Sequence, residues 1–188
     1  LTKFSFRLKR PIHSATLAAL MIPQAATIIP IFMMIRSLGL INTYSGVILP
    51  MLVSPFGVYF MMVFIQGSLS SEILDAGRID GANEFRIFFQ IVLAIISPGI
   101  ITLLLISFIS TWNNFFLPLI LLNQTDLYPV TVGLNIMVSN LRSSPRFNGP
   151  LYPLIISGAA ISILPALLLF TFLRKYITSG IALGSLKM

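Results

Sequence analysis

The sequence predicts an all-α integral membrane protein, a bundle of four membrane-crossing helices in one domain over residues 1–188, with a helix-turn-helix between the second and third. Three observations lead there. The 188 residues are 56% hydrophobic and only 9% charged, with a mean hydropathy of +0.96, too few charges to cover a soluble domain of this size. Four long apolar stretches contain no Asp, Glu, Lys or Arg. Finally, four of the five acidic residues fall in thirteen positions, Glu72 to Glu84.

The first span is expected over 15–35, 21 residues that as a helix reach roughly 32 Å, the thickness of a hydrocarbon core. The others are expected over 44–66, 98–122 and 150–173. Each carries proline, among them Pro23, Pro30, Pro50, Pro55, Pro98, Pro118 and Pro165. Proline removes a helix hydrogen bond, a loss tolerated in a membrane where neighbouring helices or water satisfy the freed carbonyl, so these prolines serve ordinary packing or bend a pathway. Gly158, Ala159 and Ala160 allow another helix to come close.

An even number of spans puts the N-terminal arm, the loop over 67–97 and the tail over 174–188 on one face. Nine basic residues lie there (Lys3, Arg7, Lys9, Arg10, Arg78, Arg86, Arg174, Lys175, Lys187), against Arg36, Arg142 and Arg146 opposite. The positive-inside rule makes that face cytoplasmic. The net charge of +7 therefore reads as topology rather than nucleic-acid binding, because no basic aromatic patch accompanies it. Cysteine is absent, which excludes disulfides and thiolate metal sites.

The stretch SSEILDAGRIDGANEFRIFF, residues 70–89, has its own local grammar. Ser70 or Ser71 suits a helix N-cap, and Glu72 and Asp75 suit the positive end of the helix dipole. That helix is expected to run to about Asp80. Gly81 fits the left-handed residue ending it, and Asn83 can cap a second helix leading into span three. A connector between spans needs only a few residues, so four acids and two arginines among Ile73, Leu74, Ile79 and a phenylalanine cluster read as a docking surface. The alternative is an amphipathic pair lying on the membrane. Catalytic or metal-binding carboxylates are disfavoured by the interleaved arginines and the lack of a pocket in sequence terms. Gly77 and Gly81 form no phosphate loop, since no Gly-Lys-Ser/Thr follows, and no ATPase motif is present.

These residues resemble the EAA loop of permease subunits of binding-protein-dependent ABC importers, Glu-Ala-Ala, three residues, Gly, nine residues, Ile, one residue, Leu-Pro. Here Asp75, Ala76, Gly77, Gly81, Ile91 and Leu93 keep the spacing; Asp75, Gly77 and Ala94 replace Glu, Ala and Pro. Further likeness to the MalG-type subunit of carbohydrate importers runs through ILPMLVSPFGVYFMMVF, TWNNFFLPLILL, YPVTVGL and the tail, where Gly180, Gly184, Ser185, Leu186 and Lys187 fit the family ending. The resemblance implies the fold of a type I ABC importer permease with six spans, the four here corresponding to the last four. It implies a cytoplasmic coupling helix at Asp75, Ala76, Gly77, Arg78, Asp80 and Gly81, docked on a dimer of ATPase subunits with Asp75 facing a basic group. The tail residues Gly180, Gly184, Ser185 and Lys187 would be a second contact. The implied partners are the ATPase dimer, a homologous permease subunit and an extracytoplasmic sugar-binding protein, in a bacterial-type inner membrane. No cofactor is expected on this chain, since ATP and magnesium belong to the partner ATPase. An amino-acid or polyamine permease of the same class is the alternative; a secondary transporter or channel would need ionisable residues inside the spans, which have none.

For the substrate pathway, Trp112, Asn113 and Asn114 could stack on and hydrogen-bond a sugar, with Gln24 and Thr27 as further lining. The competing reading is an interfacial belt whose polar groups bond helix to helix. His13 reads as an ordinary surface residue.

Overall fold

The computed structural model describes residues 1–143 and 148–185, and their side chains except at 143, 148–151 and 174–185. Among the described residues there is no strand. The helices are α1 (Lys9–Met21), α2 (Gln24–Ser37), α3 (Tyr44–Ile48), α4 (Pro55–Ser68), α5 (Ser71–Ile79), α6 (Glu84–Trp112), α7 (Phe116–Leu121), α8 (Val130–Ser143) and α9 (Asn148–Ser185). Among the described residues three stretches are long and apolar enough to cross a membrane, Tyr44–Ser68, α6 and Tyr152–Leu173; α1 and α2 make a fourth if a broken pair counts as one span.

The sequence differs from this arrangement in instructive ways. The span expected over 15–35 is two helices, because Pro23 lacks an N–H and forces the residue before it out of the helical region: Ile22 has ψ 120° and Pro23 ψ 134°. The stretch expected over 44–66 is likewise interrupted, by a 3₁₀ turn at Leu49–Met51 and an extended Ser54, whose side chain caps α4 by accepting from the Gly57 N–H. The third span begins at Glu84 rather than residue 98, so the second half of the expected loop is continuous with it, and it stops at Trp112. The connection between the third and fourth expected spans, residues 123–149, contains α8. The fourth helix continues through the expected tail to Ser185.

By its internal contacts the chain falls into two compact units. One comprises residues 1–22, 54–107 and 172–188. In it α1 packs on α4, and Leu69, Leu74 and Ile87 form a buried cluster flanked by Ile65, Ala82, Ile91, Val92 and Ile95. Pro98 deprives the Ala94 carbonyl of its partner, and the Ser97 hydroxyl donates to it at 2.9 Å instead. Over Ile87–Val92 α6 widens to a π-helix, and the Leu93 N–H reaches back five residues to the Phe88 carbonyl.

The second unit comprises 23–53 and 108–171. Ile35, Leu121, Leu122 and Val132 are its fully buried side chains. Among the described residues, Asn42 is the one without glycine's freedom that nevertheless adopts a positive φ, 61°. Its N–H donates to the Leu121 carbonyl at 2.8 Å, and its Oδ1 accepts from the backbone N–H groups of Asn123 (2.9 Å) and Gln124 (3.1 Å). One side chain thus fastens the α2–α3 link to the chain leaving α7.

Candidate functional site

The helix-turn-helix is built from the turn outward. At the end of α5 the Gly81 N–H donates to the Arg78 carbonyl and the Ala82 N–H to the Gly77 carbonyl, both at 3.0 Å, with Gly81 at φ +77°. This is a Schellman motif, and the left-handed position is why glycine stands there. Asn83 then caps α6, its Oδ1 accepting from the Arg86 N–H at 2.8 Å. Ser70 occupies the N-cap of α5 but makes no side-chain cap bond.

The inner face of α5 is Leu74 and Gly77, both buried. A Cβ on Gly77 would lie 3.0 Å from Ile91 Cδ1 and 3.3 Å from Ile87 Cγ1, so the absence of a side chain lets α5 lie close against the π-helical turns of α6. The helix-propensity cost of glycine, about 1 kcal/mol relative to alanine, is the counterpart of that close approach.

The charges pair within the loop. Arg78 donates from Nη1 to Asp75 Oδ1 and from Nε to Glu84 Oε1, each at 2.8 Å, bridging α5 to the start of α6. The bond to Glu84 first, then that to Asp75, push the Arg78 guanidinium further above its ordinary value. All three side chains are substantially exposed, so these pairs orient the loop more than they stabilise it. Arg86 Nε donates to Gln90 Oε1 at 2.9 Å. Among the described residues Glu72 and Asp80 have no ion pair, and Ala76 is exposed. Six of the expected docking residues, Asp75, Ala76, Gly77, Arg78, Asp80 and Gly81, thus share one small motif. Between the arm (Leu1, Phe4) and Leu69, Leu74, Phe85 and Phe88 lies a hollow of about 500 Å³.

Gly180, Gly184 and Ser185 lie in the last turns of α9, where side chains are outside the described residues, as is Lys187 altogether.

The expected pathway residues separate into engaged and free groups. The Trp112 indole Nε1 donates to the Ser162 carbonyl at 3.0 Å, and its ring stacks on Phe108 at 5.5 Å. Asn114 accepts from the Leu117 N–H, approaches Met51 Sδ at 3.7 Å, and its carbonyl accepts from the Thr131 hydroxyl. Thr27 donates to the Gln24 carbonyl at 2.8 Å. Asn113 is exposed where the helix breaks between α6 and α7. No hydrogen bond among the described residues joins Gln24 and Thr27 to the Trp112 group. Gly158 lies against α8, where an added Cβ would meet Leu134 Cδ2 at 2.9 Å.

Sequence reasoning missed the Asn42 fastening, whose one local signal is an asparagine in the short link after Gly39. It also took Arg78 as a docking residue without seeing its pairing, although its spacings of three and six to Asp75 and Glu84 fit a bridge across the turn.

Among curated proteins, the chain is 34% identical over 187 residues to the arabinooligosaccharides transport system permease protein AraQ of Bacillus subtilis, covering all of this chain and 64% of that one. It is 33% identical to the lactose transport system permease protein LacG of Rhizobium radiobacter, over 98% of this chain and 64% of that one. It is 35% identical to the glucose import system permease protein GlcU of Saccharolobus solfataricus, over 88% and 56%. The chain thus spans under two thirds of the length of these relatives. A crystal structure of a bacterial ABC transporter involved in the import of the acidic polysaccharide alginate matches with a TM-score of 0.78, at 24% identity, over 93% of this chain and 64% of that chain, which shows the shared fold. The family model described as binding-protein-dependent transport system inner membrane component matches residues 2–183, and the chain belongs to that family.

Proposed function

We propose that this chain is the membrane-spanning permease subunit of an ATP-driven sugar importer, supplying half of a translocation pathway and taking its work from a separate ATPase through residues 71–89. The observation that carries the coupling role is mechanical. α5 is seated by Gly77 on Ile87 and Ile91, and α6 runs from there without a break to Trp112, so a force on α5 is delivered to the base of a membrane-crossing helix. The sugar class rests on relatives named for arabinooligosaccharide, lactose and glucose transport, which favour it over an amino-acid or polyamine cargo.

In this reading the arm, the helix-turn-helix and the end of α9 face the cytoplasm of a bacterial-type cell. A dimer of ATPase subunits binds ATP and magnesium, closes, and carries α5 with it; the spans rock from inward- to outward-facing and accept sugar from an extracytoplasmic binding protein. A homologous permease subunit completes the pathway. This chain's part is to dock, transmit and line. Trp112 and Asn114 act in helix packing, since their polar groups are taken up within the protein, and Asn113, exposed and with no side-chain hydrogen bond among the described residues, offers its amide to the pathway.

The test is charge reversal. In liposomes holding the full-length permease pair and ATPase, Asp75→Lys places a cation beside Arg78 and is expected to cut ATP-driven sugar uptake at least tenfold at equal membrane levels. Undiminished uptake would remove the docking role from this segment.

A further inference from the structure

We propose that the hollow beside the N-terminal arm binds one anionic phospholipid, an acyl chain lying along its apolar walls and the phosphodiester held by Lys3 and Lys9. The proposal rests on the permease reading only in setting this end of α4 and α6 at a membrane surface.

The walls fit an acyl chain. They come from the end of α4 (Ile65, Leu69), the first turns of α6 (Phe85, Phe88, Val92) and the arm, and they enclose about 500 Å³, within the roughly 300–1,000 Å³ of ligand sites. Along α6 the lining runs from Glu84 to Val92, roughly 12 Å at 1.5 Å per residue. Among the described residues lining it, only Lys3 and Glu84 are charged, and Thr2 is the one other polar residue. Phe88 and Phe89 meet edge to face, centroids 5.1 Å apart, yet stay 45% and 63% exposed. They form an apolar wall that methylene groups can cover.

Charge selects the headgroup. Residues 1–71 contain no acid, while the arm and the start of α1 carry Lys3, Arg7, Lys9 and Arg10. Among the described residues none of these four has an ion pair. Lys9 Nζ donates to the Thr2 carbonyl at 3.1 Å, which brings its ammonium to a residue lining the hollow and leaves two of its three donors for another acceptor. Glu84, the acid at the hollow, is engaged by Arg78, so the unpaired charge here is positive. A neutral lipid or an apolar protein segment could cover the walls but would give the two ammonium groups no partner. A basic pocket at the membrane surface of a helical protein is matched by an anionic lipid headgroup.

The experiment uses the full-length permease complex, otherwise free of cysteine, with a fluorophore at Phe89→Cys in phosphatidylcholine nanodiscs. Brominated phosphatidylglycerol and brominated phosphatidylcholine are incorporated in separate series of increasing mole fraction. Phosphatidylglycerol is expected to quench at a mole fraction at least about tenfold lower, and Lys3→Gln and Lys9→Gln each to cut that preference about fivefold. Ile65→Phe narrows the hollow with the cations intact and is expected to abolish the preference. The two lysine variants leave the packed core untouched, so they decide the question even where thermal melts show Ile65→Phe to be unstable. Equal quenching by the two lipids overturns the site, as does quenching by neither, which would mean that protein covers the hollow. A preference that survives in a stable Ile65→Phe complex also overturns it, since that is attraction to the surface alone. Sugar uptake by the same complex in liposomes is read separately, so a failed lipid site and a failed permease role give different results.

Discussion

Gly99→Ala is the sharpest perturbation of the unit that carries the helix-turn-helix. An alanine Cβ there would stand 2.5 Å from Phe64 Cδ1 and 2.7 Å from both Cε1 and Cγ. The obstacle is the flat of a ring rather than the end of a flexible chain, and the ring must withdraw by roughly 1 Å to regain ordinary carbon contact. Phe64 also stacks on Phe60, centroids 6.3 Å apart, which limits its retreat. Overpacking of this kind costs about 1–3 kcal/mol, and the helix-propensity gain from glycine to alanine returns about 1 kcal/mol at most. The net expectation is destabilisation by up to about 2 kcal/mol, a fall of up to about 8 °C in the thermal midpoint, measured on the full-length complex in nanodiscs. Phe64→Leu in the same chain is expected to recover most of the loss, because it removes the obstructing ring atoms. A Gly99→Ala midpoint at or above that of the unaltered protein would refute the close crossing of α4 and α6 at this point.

Other outcomes follow from the same kind of geometry. Gly81→Ala forces a side chain into φ +77° and is expected to cost about 1 kcal/mol, seen as faster hydrogen exchange confined to residues 76–86. Asn42→Ala strains the same backbone region and strands two backbone donors, an expected loss of about 2 kcal/mol that Asn42→Gly recovers only in part; thermal melts of the pair separate strain from lost bonds. Trp112→Phe keeps the stack on Phe108 but loses the bond to the Ser162 carbonyl, and is expected to lower stability by about 1 kcal/mol while leaving the ranking of transported sugars unchanged in uptake competition. A changed ranking would return Trp112 to the pathway.

The helix-turn-helix was readable because its chemistry is local. Gly81 and Asn83 act within three residues of themselves, and the bonds they make are those their positions suggest. The spans were readable as hydrophobic lengths, yet their breaks were not: a hydropathy window over 15–35 averages across Pro23, while the extended Ile22 and Pro23 end one helix and start another. α8 was hidden because Asn135, Ser139 and Asn140 dilute its apolar positions, although buried Val132 and the Leu134 contact with Gly158 show one face at work. Asn42 was beyond reach for a different reason: its partners, Asn123 and Gln124, lie more than eighty positions away. The π-helical turns at Ile87–Val92 leave no mark in composition. The pairing of Arg78 needed the turn to be closed before Asp75 and Glu84 came within reach of one guanidinium.

The most direct measurement is ATP hydrolysis by the full-length permease pair and its ATPase in liposomes, with purified extracytoplasmic binding protein added with and without its sugar. The expected result is hydrolysis stimulated several-fold by the sugar-loaded protein, accompanied by sugar uptake, and both lost together in Asp75→Lys. Sugar uptake that proceeds on an ion gradient with the ATPase absent, or hydrolysis and uptake that ignore the binding protein, would contradict the account.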